Sequence, residues 1–290
     1  MSRRGVLRAG LGVMLASAAP AAAGCGRRAD GPARADLDVT RHEYGPDPSQ
    51  FGQLYRPRGG GPFPVIVVIH GGFWRSAYDL SLGTPLAEDL AGRGYAAWNL
   101  EYRRVGNGGG WPTTLLDVAA GIDLLADLEA AGSPLDLSRV ATLGHSAGGH
   151  LAVWAAARPG LPAAAPGAEP VVTLSGALAQ AGVLDLRRAA DEQLGVGATQ
   201  ELLGGEPDEV PDRYAVASPV QRVPLGVPVV CVHGRSDTNV PLSQSQSYAR
   251  AATAAGDNVE VVEVEGDHFV VIDVHAEAWA TIVDHLPDLL

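Results

Sequence analysis

The chain has 290 residues, 46% of them apolar and 19% charged, so it can bury a full core and is neither collagen-like nor disordered in composition. Its net charge of −12 is more negative still once the opening Arg3, Arg4 and Arg8 are set aside, which excludes a nucleic-acid partner because phosphate binding needs a basic face. The length exceeds the common single-domain size of roughly 100–150 residues, yet large parallel sheets reach it as one unit, so one domain with insertions is expected.

The N-terminus reads as an address. Arg3 and Arg4 precede the apolar, small-residue stretch Leu11 to Ala23, which ends in Ala22-Ala23-Gly24-Cys25. The pattern resembles a twin-arginine signal peptide over residues 1–24 and implies export. The stretch is shorter than the ~20 apolar residues that span a bilayer, and Pro20 interrupts it. Its end also resembles a bacterial lipobox, with Ala22 where Leu or Val is usual, so two outcomes stay open. Either Cys25 is lipidated and tethers the protein to a membrane, or cleavage releases a secreted chain. Residues 25–37, rich in Gly, Pro and charge, then form a flexible tether. Two cysteines make no disulfide framework, and Cys231 lies in the apolar run Pro228 to Val232, where a buried thiol is common.

From Asp38 to Tyr55 two short strands flank the turn Gly45 to Pro48, and Pro64 to Ile69 is a β-branched run suited to a strand buried on both faces. A helix from Leu82 to Ala91 leads to a strand from Tyr95 to Leu100. A helix from Thr113 to Ala130 leads to a core strand from Arg139 to Leu143, and the segment from Gly149 to Ala157 is helical. Strands at Val171 to Leu174, Val227 to Val232 and Val259 to Val264, with helices at Gln244 to Ala255 and Val274 to Leu289, continue the alternation. This is an α/β chain with a mainly parallel sheet covered on both faces. Between Gly176 and Arg222 the rhythm lapses, and that segment is expected to be a cap inserted before the last strands.

Gly144-His145-Ser146-Ala147-Gly148 is a G-x-S-x-G pentapeptide between a strand and a helix. That is the setting of a nucleophile elbow, where small residues let strand and helix approach and a strained turn exposes the hydroxyl. A serine hydroxyl is a weak nucleophile at neutral pH, so it needs a base. His268 follows the strand Val259 to Val264, at the strand ends where ligands meet open parallel sheets. Asp237 follows the strand ending near Val232 and reaches the same edge, with Asp267 and Asp273 as alternative acids and a helix cap as the alternative role for Asp237. The chain order Ser146, Asp237, His268 is the order that α/β hydrolases use.

With these motifs the chain, from about Tyr55 to Leu289, resembles α/β hydrolases of the esterase/lipase and kynurenine-formamidase-like group, and more distantly prolyl-oligopeptidase-type catalytic domains. The resemblance implies an α/β-hydrolase fold and acyl transfer through Ser146, with His268 as base and Asp237 as its acidic partner. His70-Gly71-Gly72-Phe73-Trp74 resembles the family's oxyanion loop, with Phe73 where many members have a third glycine. It implies that the backbone N–H groups of Gly72, Phe73 and Ala147 bind the oxyanion, each donor supplying about 3–4 kcal/mol. Glu101-Tyr102-Arg103 matches a segment that supports that loop in relatives.

Trp74, Trp111 and His145 are candidates for lining a substrate pocket, the two tryptophans being equally well explained as core. His70 is read as orienting its loop, and His150, His233, His275 and His285 as structural. The histidines and acids form no H-E-x-x-H or Cys/His cluster, so neither a metal nor a cofactor is expected. The favoured expectation is a carboxylesterase acting on a small acyl substrate. An arylformamidase, an aminopeptidase-like amide hydrolase, or a noncatalytic surface protein that keeps the fold are the alternatives. Oligomeric state is not readable from the chain.

Overall fold

A computed structural model describes residues 37–290. The readings of residues 1–24 as a signal, of Cys25 as a lipidation site and of the tether lie outside these residues, except that Leu37 already opens the first strand. Eight strands form one sheet: β1 (Leu37–Glu43), β2 (Phe51–Pro57), β3 (Phe63–Ile69), β4 (Ala96–Leu100), β5 (Leu135–His145), β6 (Gly176–Gln180), β7 (Val229–Gly234) and β8 (Val259–Val264). Their order is β1-β2-β4-β3-β5-β6-β7-β8. The β1–β2 and β2–β4 pairs are antiparallel and the other five pairs parallel, the α/β-hydrolase arrangement.

The period-two alternation of strand side chains explains how one apolar run serves two layers. On β3, Val65, Val67 and Ile69 face a layer built with α2 (Thr113–Ala130) and α3 (Ala147–Ala156). Ile66 and Val68 face the opposite layer, with α1 (Thr84–Gly92) and, further along the sheet, α8 (Glu277–His285). The outer strand β8 sends Val259 and Val261 to one layer and Val262 and Val264 to the other, leaves Glu260 and Glu263 exposed, and charge on an edge discourages pairing with another chain.

Three expectations need correction. The segment from Val171 to Leu174 is not a strand: the amides of Val171 and Val172 both donate to Asp123 Oδ1, which also pairs with Arg158, so they are unavailable to a ladder. The strand there is β6, whose Gly-Ala-Leu-Ala-Gln sequence lacks the branched residues that mark a strand. Consequently the insertion starts after Gln180, not at Gly176. It carries the short helices α4 (Leu186–Asp191), α5 (Ala198–Leu203) and α6 (Pro211–Ala217) before β7, and α7 (Ser243–Ala255) follows β7. The last helix also begins later than Val274, because the Asp273 side chain accepts from the His275 amide and holds a turn there.

Candidate active site

Ser146 stands between β5 and α3 with φ 57° and ψ −118°, a strained conformation for a residue with a side chain. Its amide donates to Gln180 O of β6 at 2.8 Å, which pins the turn to the neighbouring strand. The flanking glycines are required by close approach: a methyl on Gly148 would run into the Ile69 carbonyl, and one on Gly144 into the carbonyl of Gly148.

The loops after β7 and β8 bring Asp237 and His268 together, Oδ2 lying 2.6 Å from Nδ1 with both side chains buried. The other carboxylate oxygen accepts the amides of Asn239 (2.8 Å) and Val240 (2.9 Å), so Asp237 builds its own turn while it faces the imidazole. His233 Nε2 lies 3.3 Å from Oδ2 and donates to Val240 O, and its Nδ1 meets Ser245 Oγ at 2.8 Å. Burial alone would raise the Asp237 carboxyl. Hydrogen bonds from His233, His268 and the Val240 amide, with the nearby His268 charge, outweigh it and hold the group well below the usual carboxylate range. Ser146 and His268 are 2% and 4% exposed, and the Ser146 hydroxyl makes no hydrogen bond to the imidazole here. Such bonds commonly tighten only when substrate binds.

Gly72, Phe73 and Trp74 follow one another with φ of 111°, 52° and 56°, an irregular turn that leaves the Gly72 and Phe73 amides without an acceptor among the described residues. Ala147, first residue of α3, has no intrahelical acceptor either. The turn is braced from below. Both His70 ring nitrogens meet acceptors, Gly71 O at 2.8 Å and Glu101 Oε1 at 3.2 Å. Tyr102 stacks on that ring with centroids 4.5 Å apart and donates its hydroxyl to His70 O. Glu101 also accepts from the Leu80 amide and pairs with Arg104 at 2.9 Å.

With this geometry in view, the BD-FAE family model matches residues 53–251. The chain belongs to the BD-FAE family. Among curated relatives of this BD-FAE protein, a probable carboxylic ester hydrolase LipM of Mycobacterium tuberculosis is 30% identical over 65% of this chain and 44% of its own length. The esterase LipC of the same organism is 28% identical over 77% of this chain and 57% of its own. The chain therefore spans about half the length of those relatives. A crystal structure of esterase B from Lactobacillus rhamnosis superposes with a TM-score of 0.75 at 24% identity, covering 89% of this chain and 87% of the other, a likeness of fold. The esterase Est2 of Thermogutta terrifontis superposes at 0.68 with 25% identity, covering 86% and 89%.

The remaining candidates in this BD-FAE chain fall differently from the expectation. Trp74 is 1% exposed and lies in the core at the Gly72–Trp74 turn instead of on a pocket wall, its indole N–H donating to His150 Nδ1 at 3.1 Å. His150 in turn donates to Ala217 O at the end of α6 (2.9 Å), linking turn, α3 and insertion. Trp111 is half-buried at the seam between α2 and the insertion, its amide bonded to Leu202 O at 2.7 Å. His145 is 5% exposed and held by the His268 main chain, again no open wall. Sequence reasoning missed three neighbours of the site: His233 on Asp237, for which the i, i+4 spacing was the available signal; Tyr78, packed on Gly72; and Phe269. Phe269 is 55% exposed and stands edge-on to the His268 ring, 5.3 Å between centroids. Among the described residues no group of three or more His, Cys, Asp or Glu could hold a metal ion, and no helix is long and apolar enough to cross a membrane.

Proposed function

We propose that the protein is a serine carboxylesterase. Ser146 attacks the acyl carbonyl as His268 takes its proton, and Asp237 holds the imidazole tautomer and stabilises its charged form. The amides of Gly72, Phe73 and Ala147 receive the oxyanion. Collapse of the tetrahedral intermediate returns the proton to the leaving alcohol and leaves an acyl-enzyme. Water, activated by the same imidazole, then releases the acid. The observation that carries this reading is the 2.6 Å contact between Asp237 and His268 beside a serine held at positive φ. The esterase names of the relatives point the same way. The substrate is a small uncharged-carbonyl acyl compound, and an ester is favoured over a formamide or an aminoacyl amide.

Ser146→Ala is expected to abolish turnover of a short p-nitrophenyl ester and labelling by a fluorophosphonate probe while circular dichroism stays native. Unchanged turnover discards the assignment, and a folded wild type that neither labels nor turns over points to a noncatalytic protein. A panel of acyl esters, formamides and aminoacyl amides ranks the bond cleaved.

Export through the paired arginines and lipid attachment at Cys25 complete the proposal, giving a cell-envelope esterase anchored without a spanning helix. Detergent partitioning that disappears in Cys25→Ala supports the anchor; equal partitioning of both forms counts against lipidation at Cys25.

A further inference from the structure

His145 immediately precedes the nucleophile, and its imidazole is buried between the two loops on which the reaction would depend. Its Nε2 lies 2.9 Å from the carbonyl oxygen of His268. A carbonyl only accepts, so Nε2 carries the hydrogen and the tautomer is fixed. Nδ1 is then a bare acceptor; it is buried and has no hydrogen-bond partner among the described residues. It faces the oxyanion loop, only 3.0 Å from where a Cβ on Gly71 would stand. The ring also lies against that of His268, with centroids 4.5 Å apart and planes at 47°.

We propose that His145 is a positioning residue of the reaction, a hydrogen-bond donor that clamps the loop carrying His268 to the nucleophile elbow. The proposal rests on the serine-esterase reading above. Other bonds hold the His268 loop elsewhere: Nδ1 to Asp237, the Phe269 amide to Asp267, the Ser236 amide to Gly266 O, and, three residues beyond His268, the Gln180 side-chain amide to Val271 O. The His145 bond instead reaches from the residue next to Ser146 across 123 positions of sequence, so it sets base against nucleophile directly. Packing alone is a poor account of this side chain, because an apolar one would fill the space without burying an unpartnered nitrogen. Burial, reinforced by the nearby His268 charge, pushes the His145 pKa down to about 3. The ring therefore stays neutral while His268 gains and loses its proton, and the donor is present at every stage of turnover.

Gln and Phe separate donor from filler at this position. The Gln amide can donate to the same carbonyl, whereas Phe keeps a flat ring and no donor. In the full chain, His145→Phe is expected to lower kcat on a short p-nitrophenyl ester by roughly 10- to 100-fold, the scale of a slightly misplaced catalytic group, with KM changed by less than about threefold. His145→Gln is expected to stay within about fivefold of wild type by the same reasoning. His145→Met supplies a second donor-free variant should Phe fail to fold.

A readout independent of turnover is the low-field proton NMR signal of His268 Nδ1–H in its bond to Asp237. It is expected to remain sharp in wild type and His145→Gln and to broaden or exchange faster in the donor-free variants. Equal or higher kcat in Phe or Met than in Gln, or an unchanged low-field signal in the donor-free variants, overturns the proposal. A wild type without esterase turnover removes the functional reading, and the NMR comparison still decides whether His145 holds the His268 loop.

Discussion

Asp237 faces two imidazoles at once: Oδ2 lies 2.6 Å from His268 Nδ1 and 3.3 Å from His233 Nε2. The same carboxylate takes two backbone amides on its other oxygen, so its lone pairs are engaged on every side. Asp237→Asn keeps the size of the group but can turn an N–H toward His268, selecting the tautomer that cannot accept the serine proton. Loss of roughly 10³- to 10⁴-fold in kcat is expected, with a native fold. Steady-state hydrolysis of a p-nitrophenyl ester checks it, and a loss under tenfold would move the acidic role to Asp267 or Asp273.

Acid stability follows from two buried neutral histidines. Burial lowers His145 to about 3 and His150 to about 4, against 6.5 for a free histidine. Between pH 6.5 and about 4 the unfolded chain therefore binds protons that the folded chain refuses, and stability rises with pH across that window. The stability is full above pH 6.5 and declines on acidification. Asp237, lowered from its ordinary value, adds a further loss as pH falls below the usual carboxylate range. The urea midpoint is expected to drop steadily from pH 7 to pH 4.5. His150→Gln can still accept from Trp74 and donate to Ala217 without titrating, so its pH slope should be shallower by about one proton. Superimposable slopes for variant and wild type would contradict this.

How much of this was legible beforehand depends on the range of the contacts. The run at β3 announces itself because both of its faces are buried, and the glycines at 144 and 148 because strand and helix meet at backbone distance. The nearness of Asp237 and His268 follows from their places just beyond two adjacent parallel strands. Strand β6 was hidden because its small residues carry no strand signal. The roles of His145, His150 and Trp74 were hidden for another reason. Each is defined by a partner remote in sequence, 123 positions away for His145 to His268, 67 for His150 to Ala217 and 76 for Trp74 to His150. No local pattern encodes such a partner.

Trp74 holds the turn proposed to bind the oxyanion, one that the backbone alone would not favour. Its own φ is 56° and that of Phe73 is 52°, and the indole N–H is the donor to His150. Trp74→Phe preserves most of the buried apolar surface but leaves His150 Nδ1 unpaired and the turn less constrained. A fall of about 10- to 100-fold in kcat is expected, since the loss of one well-aimed oxyanion donor costs 10²–10³ and this change only misaligns it. KM for a small ester should move little. Comparing kcat and KM separately tests the point, because damage to substrate binding would instead raise KM at constant kcat.

The insertion touches the same turn from above, at a loop whose backbone leaves no room. Gly195 has φ 61° and lies against the Phe73 ring, so that a methyl group there would overlap the ring. Next to it Val196 is 86% exposed at φ 57°, and its carbonyl accepts from Arg75, which also pairs with Glu201 at 2.7 Å. Gly195→Ala should displace Phe73 and lower kcat/KM by about tenfold, a misplacement short of the hundredfold that an ångström can cost. Glu201→Gln breaks only an ion pair open to solvent, for which less than about 1 kcal/mol of stability is expected. Thermal melts and ester kinetics on the two variants separate these effects. If Glu201→Gln costs as much activity as Gly195→Ala, the ion pair rather than the Phe73 contact governs how the insertion meets the site.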